Sequence, residues 1–65
     1  MEVKNYELHV FTKGLGYKEV YDNETDLQDR LDYYNEHIKD KNITRIEVIA
    51  IMENETFELL QQLNY

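Results

Sequence analysis

The stretch ITRIEVIAIM, residues 43 to 52, holds the most apolar run in the chain and decides the class of fold. The even-numbered positions from Ile46 to Met52 share one apolar face, while Ile49 and Ile51 lie on the other face. Alternation at a period of two is typical of a β-strand. Because both faces become apolar towards the end of the stretch, the pattern predicts a central strand that is covered on both sides.

Two more strands are predicted before this one. The stretch VKNYELHVFT, residues 3 to 12, also alternates, with Tyr6 and Val10 on its apolar face. KGLG, residues 13 to 16, contains both glycines of the chain and predicts a turn. YKEVYD, residues 17 to 22, is rich in aromatic and β-branched residues and predicts a second strand, so the two segments are expected to form a hairpin.

The stretch NETDLQDRLDYY, residues 23 to 34, predicts an amphipathic helix that continues to Asp40. Thr25 and Gln28 have the spacing of a capping box, and Asn23 is a competing cap. Its apolar residues recur at the helical period and form one stripe, which consists of Leu27, Leu31, Tyr34 and Ile38. One side of this helix should therefore pack on the sheet.

The last stretch, NETFELLQQLNY, residues 54 to 65, echoes the start of the helix but carries little charge. As a helix it would cluster Leu59, Leu60 and Leu63; as a strand it would place Phe57 on one face with Leu59 and Leu63. Its residues are mostly helix formers with little β-branching, which favours a short second helix over a fourth strand.

The predicted architecture is a small α+β domain that spans residues 1 to 65. Its order is ββαβ followed by a short C-terminal helix or, with a fourth strand, ββαββ, and the main helix packs on one face of the sheet. A chain of this length buries only about 60% of its unfolded surface, so its stability margin is thin.

Composition argues against enzymatic activity. The chain contains neither serine nor cysteine, so the serine and cysteine nucleophiles, disulfides and thiolate metal sites are missing. Two histidines are too few for an ordinary structural zinc site without thiolate ligands. We therefore predict no catalytic residue, no cofactor and no bound metal.

The sequence also indicates a cytoplasmic location. The apolar run VIAIM, residues 48 to 52, is far shorter than the roughly 20 residues that span a bilayer. The stretch MEVKNYELHV, residues 1 to 10, lacks the charged and then apolar layout of a secretory signal. We expect a protein of the cytoplasm, or of the host-cell cytoplasm if a phage encodes it, with no membrane partner.

The net charge of −7 is concentrated in the predicted helix. Residues 22 to 40 hold seven acids and two bases, whereas residues 1 to 21 are neutral. A strongly acidic chain repels phosphate backbones, so we expect no direct binding to nucleic acid.

An acidic row is predicted along the outer side of the helix. Four of its carboxylates and one tyrosine fall within about 80° of one another on a helical wheel, nearly opposite the leucines. Such a face could serve solubility alone, but solubility is equally well served by charges of both signs. The bias towards one sign, with Tyr33 as an aromatic anchor, favours docking on a basic protein surface. The predicted partner-binding residues are Asp26, Asp29, Asp32, Tyr33, Glu36 and Asp40.

In kind, the chain resembles the small, acidic, cysteine-free proteins that bacteriophages and other mobile elements encode to block a host factor. The resemblance implies a non-enzymatic inhibitor or modulator of a host nucleic-acid-handling or defence protein, acting by nucleic-acid mimicry. The alternative is a structural or assembly subunit that self-associates, for example as a homodimer, through a sheet edge or its C-terminal segment. That interface would consist of Phe57, Leu59, Leu60, Leu63 and Tyr65.

Overall fold

A computed structural model of the chain describes residues 2–65. Within that range one helix packs against a four-stranded antiparallel sheet with strand order β2-β1-β3-β4. The elements are β1 (Val3–Thr12), β2 (Leu15–Tyr21), α1 (Glu24–Glu36), β3 (Ile43–Met52) and β4 (Phe57–Asn64). The α+β class is confirmed, and the order of elements follows the variant with a fourth strand.

Strand β3 is central, as its sequence predicts, but only one of its faces is covered. Ile46, Val48 and Ala50 are buried in the core, on the face of the sheet that carries α1. On the opposite face Ile49 and Ile51 are only partly buried, and no element within residues 2–65 packs over them. The prediction of cover on both sides is therefore wrong, since the described chain provides a single helix for a sheet with two faces.

Helix α1 begins with Asn23 as its cap, not Thr25. Asn23 has an extended backbone (φ −143°), and its Oδ1 accepts a hydrogen bond from the Asp26 backbone N–H at 2.9 Å. The amide of Asn23 donates to the Asp26 carboxylate at 3.2 Å, which makes the pairing reciprocal. Thr25 lies inside the first turn and is exposed. Since an N-cap needs a non-helical backbone, the residue just before the helix takes this role.

The helix ends at Glu36, four residues earlier than predicted. The backbone N–H of His37 bonds to the Tyr34 carbonyl at 3.0 Å, three residues back, so the helical pattern is already lost. The Tyr33 carbonyl, which a continuing helix would have used, accepts instead from Nδ1 of His37 at 2.7 Å. The chain then turns through residues 37–42, where Asn42 adopts φ 56° before β3 begins.

The C-terminal segment is a strand, so the preferred prediction of a second helix is wrong. Residues Phe57–Asn64 pair antiparallel with β3 along its length, with a bulge at Leu60 opposite the Val48–Ile49 step. A hairpin turn brings them there, with Glu55 at φ 70° and the Thr56 carbonyl bonded to the Met52 N–H at 2.8 Å. The free edge of β3 offers a full ladder of hydrogen bonds, and this pairing overrides a weak helix propensity.

Replacing the observed cap tests this account of the helix start. We expect Asn23→Ala to lower the free energy of unfolding by about 1 kcal/mol, because the Asp26 N–H loses its acceptor. Thr25→Ala is the matched control and should be neutral or slightly stabilising, since alanine is the better helix former. Urea denaturation followed by circular dichroism measures both. A larger loss for Thr25→Ala than for Asn23→Ala would contradict the assignment.

Candidate docking surface on the acidic helix

The orientation of α1 is set by three buried side chains. Leu27, Leu31 and Tyr34 are 7%, 6% and 1% exposed, and they pack on the apolar face of the sheet. Burying a leucine contributes roughly 1.5–3 kcal/mol relative to leaving it exposed, so rotation of the helix about its axis is strongly opposed. The residues on the far side of the helix must therefore face outward.

A polar cluster around Glu19 fixes the lateral position of the helix relative to β2. The Glu19 carboxylate accepts hydrogen bonds from the hydroxyls of Tyr21 (2.6 Å) and Tyr34 (2.8 Å) and from Nε of Arg30 (3.2 Å). Because the Tyr34 hydroxyl donates to Glu19, the Tyr17 hydroxyl, 3.0 Å away, donates to Tyr34. These contacts join one strand to one helix through a single carboxylate.

This cluster also holds Glu19 ionised. Burial disfavours the charged form of the carboxyl, but the hydrogen bonds from Tyr21, Tyr34 and Arg30 outweigh it, and the pKa of Glu19 lies below its ordinary value of 4.5. Burial and the bond to Glu19 in turn raise the pKa of Tyr21 to about 12. The alternation of β2 places Tyr17 and Tyr21 on the same face of the strand as Glu19. Nothing local in the sequence shows that Arg30 of the helix also reaches Glu19.

The helix acids, in contrast, are unpaired. Asp26, Asp29, Asp32 and Glu36 are all exposed. Within residues 2–65 none of them forms an ion pair; the single arginine of the helix is used by Glu19. Local amide contacts remain, such as the bond from Gln28 to Asp32 at 2.9 Å. The row keeps its negative charge over about 15 Å at 1.5 Å per residue.

Tyr33 does not lie among the acids as the helical wheel suggests. Its ring stacks on the imidazole of His37 at 4.3 Å between centroids, and the Arg30 guanidinium lies 4.5 Å from the ring centre. The ammonium of Lys41 lies 5.5 Å from the same ring. Arg30 and Lys41 therefore bring positive charge to the margin of the acidic row, and Tyr33 is half-buried among them.

Asp40 is separated from the other predicted residues. It lies in the turn of residues 37–42, after the helix has ended, and is exposed. Its predicted place on the wheel assumed four more helical residues than exist, so that placement is wrong. We define the acidic row as Asp26, Asp29, Asp32 and Glu36.

The residues of the alternative interface are divided between the two sides of β4. Phe57 and Leu59 lie opposite Ile51 and Ile49 on the uncovered face, and they are 73% and 51% exposed. Leu60 lies on the helix side and is half exposed.

The last two residues of that set are engaged within the chain. Leu63 packs partly against the core. The Tyr65 hydroxyl donates to the Asn35 side chain at 2.6 Å, which ties the end of the chain to the helix.

An open groove of about 600 Å³ separates the helix from β4. Leu27, Val48 and Leu60 contribute its apolar lining, and Asp29 and Glu24 contribute carboxylates. The carboxylate of Glu24 accepts a hydrogen bond of 2.8 Å from the hydroxyl of Tyr6, a buried residue. Within residues 2–65 no three acidic or histidine side chains converge as metal ligands would. The same part of the chain contains no helix with the length and apolar character needed to cross a membrane.

No protein-family model, curated protein or solved structure matches this chain. Function is therefore inferred from the chemistry of the described surfaces.

The Glu19 cluster gives the fold a specific dependence on pH. A carboxyl with a depressed pKa in the folded state stabilises the fold above its unfolded pKa, and this contribution is lost as the pH falls through the folded value. We expect Glu19→Gln to lower the free energy of unfolding at pH 7 by about 1.5–3 kcal/mol, the range for hydrogen bonds to charged groups. Below about pH 4.5 the difference from the wild type should shrink.

Urea denaturation at a series of pH values measures this effect. The matched control is Glu53→Gln, because Glu53 is exposed and its side chain makes no hydrogen bond or ion pair within residues 2–65. If the Glu19→Gln difference stayed constant down to pH 3, or if both variants behaved alike, the cluster would not have the role assigned to it.

Proposed function

We propose that this chain is a non-enzymatic binding protein whose acidic row docks in a basic groove of a nucleic-acid-handling or defence protein and thereby inhibits or modulates it. The observation that carries the proposal is that the four acids of the row are exposed and form no ion pair within residues 2–65, although they lie close together on one helix. We infer a phage or mobile-element origin and a site of action in the host cytoplasm.

The contrast between helix and sheet supports this. Glu7 lies within 2.9 Å of His9 and 3.6 Å of Lys18, and Glu47 lies 3.7 Å from Arg45. These pairs neutralise the acids of the open sheet face. The acids of the row lie three or four residues apart on one helix, where like charges cost a few tenths of a kcal/mol per pair. Charge that served solubility alone could avoid this cost by being spread over the surface.

The spacing of the row also suits a groove built for phosphates. Four carboxylates over about 15 Å give one charge per roughly 5 Å. One strand of B-DNA carries a charge every 3.4 Å along its axis. The row is therefore somewhat less dense than a nucleic-acid strand but of the same order. Basic side chains that track a backbone could pair with most of these acids.

Rigidity adds to the suitability of this surface. The buried side chains of Leu31 and Tyr34 anchor the helix to the core, and the hydrogen bond from Arg30 to Glu19 anchors it to β2. The carboxylates are thus presented on a fixed backbone, which lowers the ordering cost of association. Binding would then depend mainly on screened attraction between charges, and its affinity should fall as salt is added.

Charge reversal within the row tests the proposal. We expect Asp29→Lys combined with Glu36→Lys to weaken capture of the basic partner from a bacterial lysate by about tenfold or more, since two attractions become repulsions. Quantitative pull-down on the immobilised chain, at low and at high salt, measures this. High salt should release the partner from the wild type.

The matched control is Glu2→Lys combined with Glu53→Lys, which changes the net charge equally at exposed positions away from the helix. It should capture the partner nearly as well as the wild type does. Added duplex DNA should displace the partner if the groove is a nucleic-acid site. Equal losses in both double variants would show a non-specific effect of net charge, and unchanged capture by the helix variant would refute the proposal.

A further inference from the structure

Strand β4 is uncovered along nearly its whole length. Seven of its eight residues are exposed, and only Leu63 reaches the core. The helix lies above β1 and β2 and leaves β4 beyond its reach, and the groove between them is the result. As the edge of the sheet, β4 also presents one row of backbone donors and acceptors that no strand within residues 2–65 pairs.

This edge lacks most of the features that keep sheet edges apart. Natural edge strands are blunted by lysines, prolines, inward-pointing charges, β-bulges or short length. Strand β4 has eight residues and a single charge, Glu58, and contains neither lysine nor proline. The bulge at Leu60 is its one irregularity. Its exposed side chains include Phe57, Leu59 and Leu60, which makes it an apolar template for another strand.

We propose that two copies of this chain pair antiparallel through β4, which forms a two-fold symmetric dimer with one continuous eight-stranded sheet. Pairing would satisfy the free backbone groups of both copies. With all eight residues of β4 paired, Phe57 and Leu59 would lie opposite Asn64 and Gln62 of the second copy. This would cover part of the apolar cluster on the uncovered face, which consists of Ile49, Ile51, Phe57 and Leu59. Such an interface is isologous, so each patch needs to fit only itself.

An antiparallel strand edge is complementary to itself about a two-fold axis, so a second copy fits β4, and charge favours β4 over β2 as the edge that receives it. Strands in a sheet lie about 4.8 Å apart, and α1 sits above β1 and β2. Pairing through β4 would separate the two acidic helices by roughly 29 Å, several times the Debye length of about 8 Å at physiological salt. Pairing through β2 would bring them to roughly 10 Å, where their like charges repel.

The one acid on the strand does not oppose this arrangement. If all eight residues of β4 pair, the two-fold axis passes between Leu60 and Gln61. Glu58 then lies opposite Leu63 of the second copy, and the two Glu58 side chains are about 17 Å apart along the strands. A largely apolar edge with a single charge is thus available to a chain whose net charge of −7 would otherwise keep copies apart.

Sedimentation velocity over a wide range of concentration tests the dimer. We expect the 7.9 kDa chain to sediment at twice its mass at high concentration. Salt should leave this association intact or strengthen it, because screening weakens the repulsion between two acidic copies. Leu59→Asp should raise the dimer dissociation constant by about tenfold or more.

The matched control is Leu15→Asp, a leucine that is 63% exposed on the other edge strand. It should leave the dimer unchanged. A monomer at every concentration overturns the proposal, as does a dimer that survives Leu59→Asp or one that Leu15→Asp dissociates equally. Circular dichroism establishes that each variant is folded.

A second measurement keeps the test decisive if Leu59→Asp fails to fold. The chain has no cysteine, so a single introduced thiol reports on its own surroundings. Gln61→Cys lies next to the proposed axis and should yield a disulfide-linked dimer on mild oxidation, whereas Lys18→Cys on β2 should not. Crosslinking through Lys18→Cys alone would overturn the assignment of the edge. The dimer does not rest on the proposed docking of the acidic row, and neither result decides the other.

Discussion

The placement of α1 above β1 and β2 is the constraint on which the rest of the molecule depends. The buried side chains of Leu27, Leu31 and Tyr34 pack the helix against the sheet. Hydrogen bonds from Arg30 and Tyr34 to Glu19 hold the helix on the β2 side. Two consequences follow from this offset. The helix turns its unpaired acids to solvent, and it leaves β4 with no cover above it.

A chain of this size is too short to cover both faces of its four-stranded sheet. Its core consists of ten buried residues among those described, shared between one helix and the two inner strands. One helix of 13 residues covers about half of one face of a four-stranded sheet. The far face and the outer strand must remain exposed or be covered by another chain. For a domain with a thin stability margin, added burial in a dimer would contribute to stability as well as to assembly.

Periodic features were predictable from the sequence, whereas features that depend on contacts between distant segments were not. The alternation in β1 and β3 and the leucine stripe of α1 identify the core because burial imposes those periods directly. Residues 57–64 form a strand because β3 has a free edge with unpaired backbone groups. The sequence of residues 57–64 alone does not show that this edge is available. The early end of the helix depends on the imidazole of His37 taking the Tyr33 carbonyl.

The same distinction applies to the candidate site. Exposure of Asp29 and Glu36 follows from their positions opposite the leucines. The surroundings of Tyr33 do not, because Lys41 reaches its ring only after the chain has turned. The pairing of Arg30 with Glu19 could not be predicted from the sequence either, since it joins residues of two different elements. That pairing engages the one base of the helix, so Arg30 forms no ion pair with a neighbouring helix acid.

The two proposed associations use different physics and different surfaces, so they can coexist. Docking of the acidic row depends on screened attraction to a basic partner, whereas pairing through β4 depends on backbone hydrogen bonds and apolar contact. In the dimer both helices would lie on the same side of one sheet, roughly 29 Å apart, with their acids still facing outward. A partner that is itself two-fold symmetric could then meet two acidic rows at once. Such bivalent contact would strengthen binding without any new interaction at either row, provided that the spacing of the basic grooves matches that of the helices.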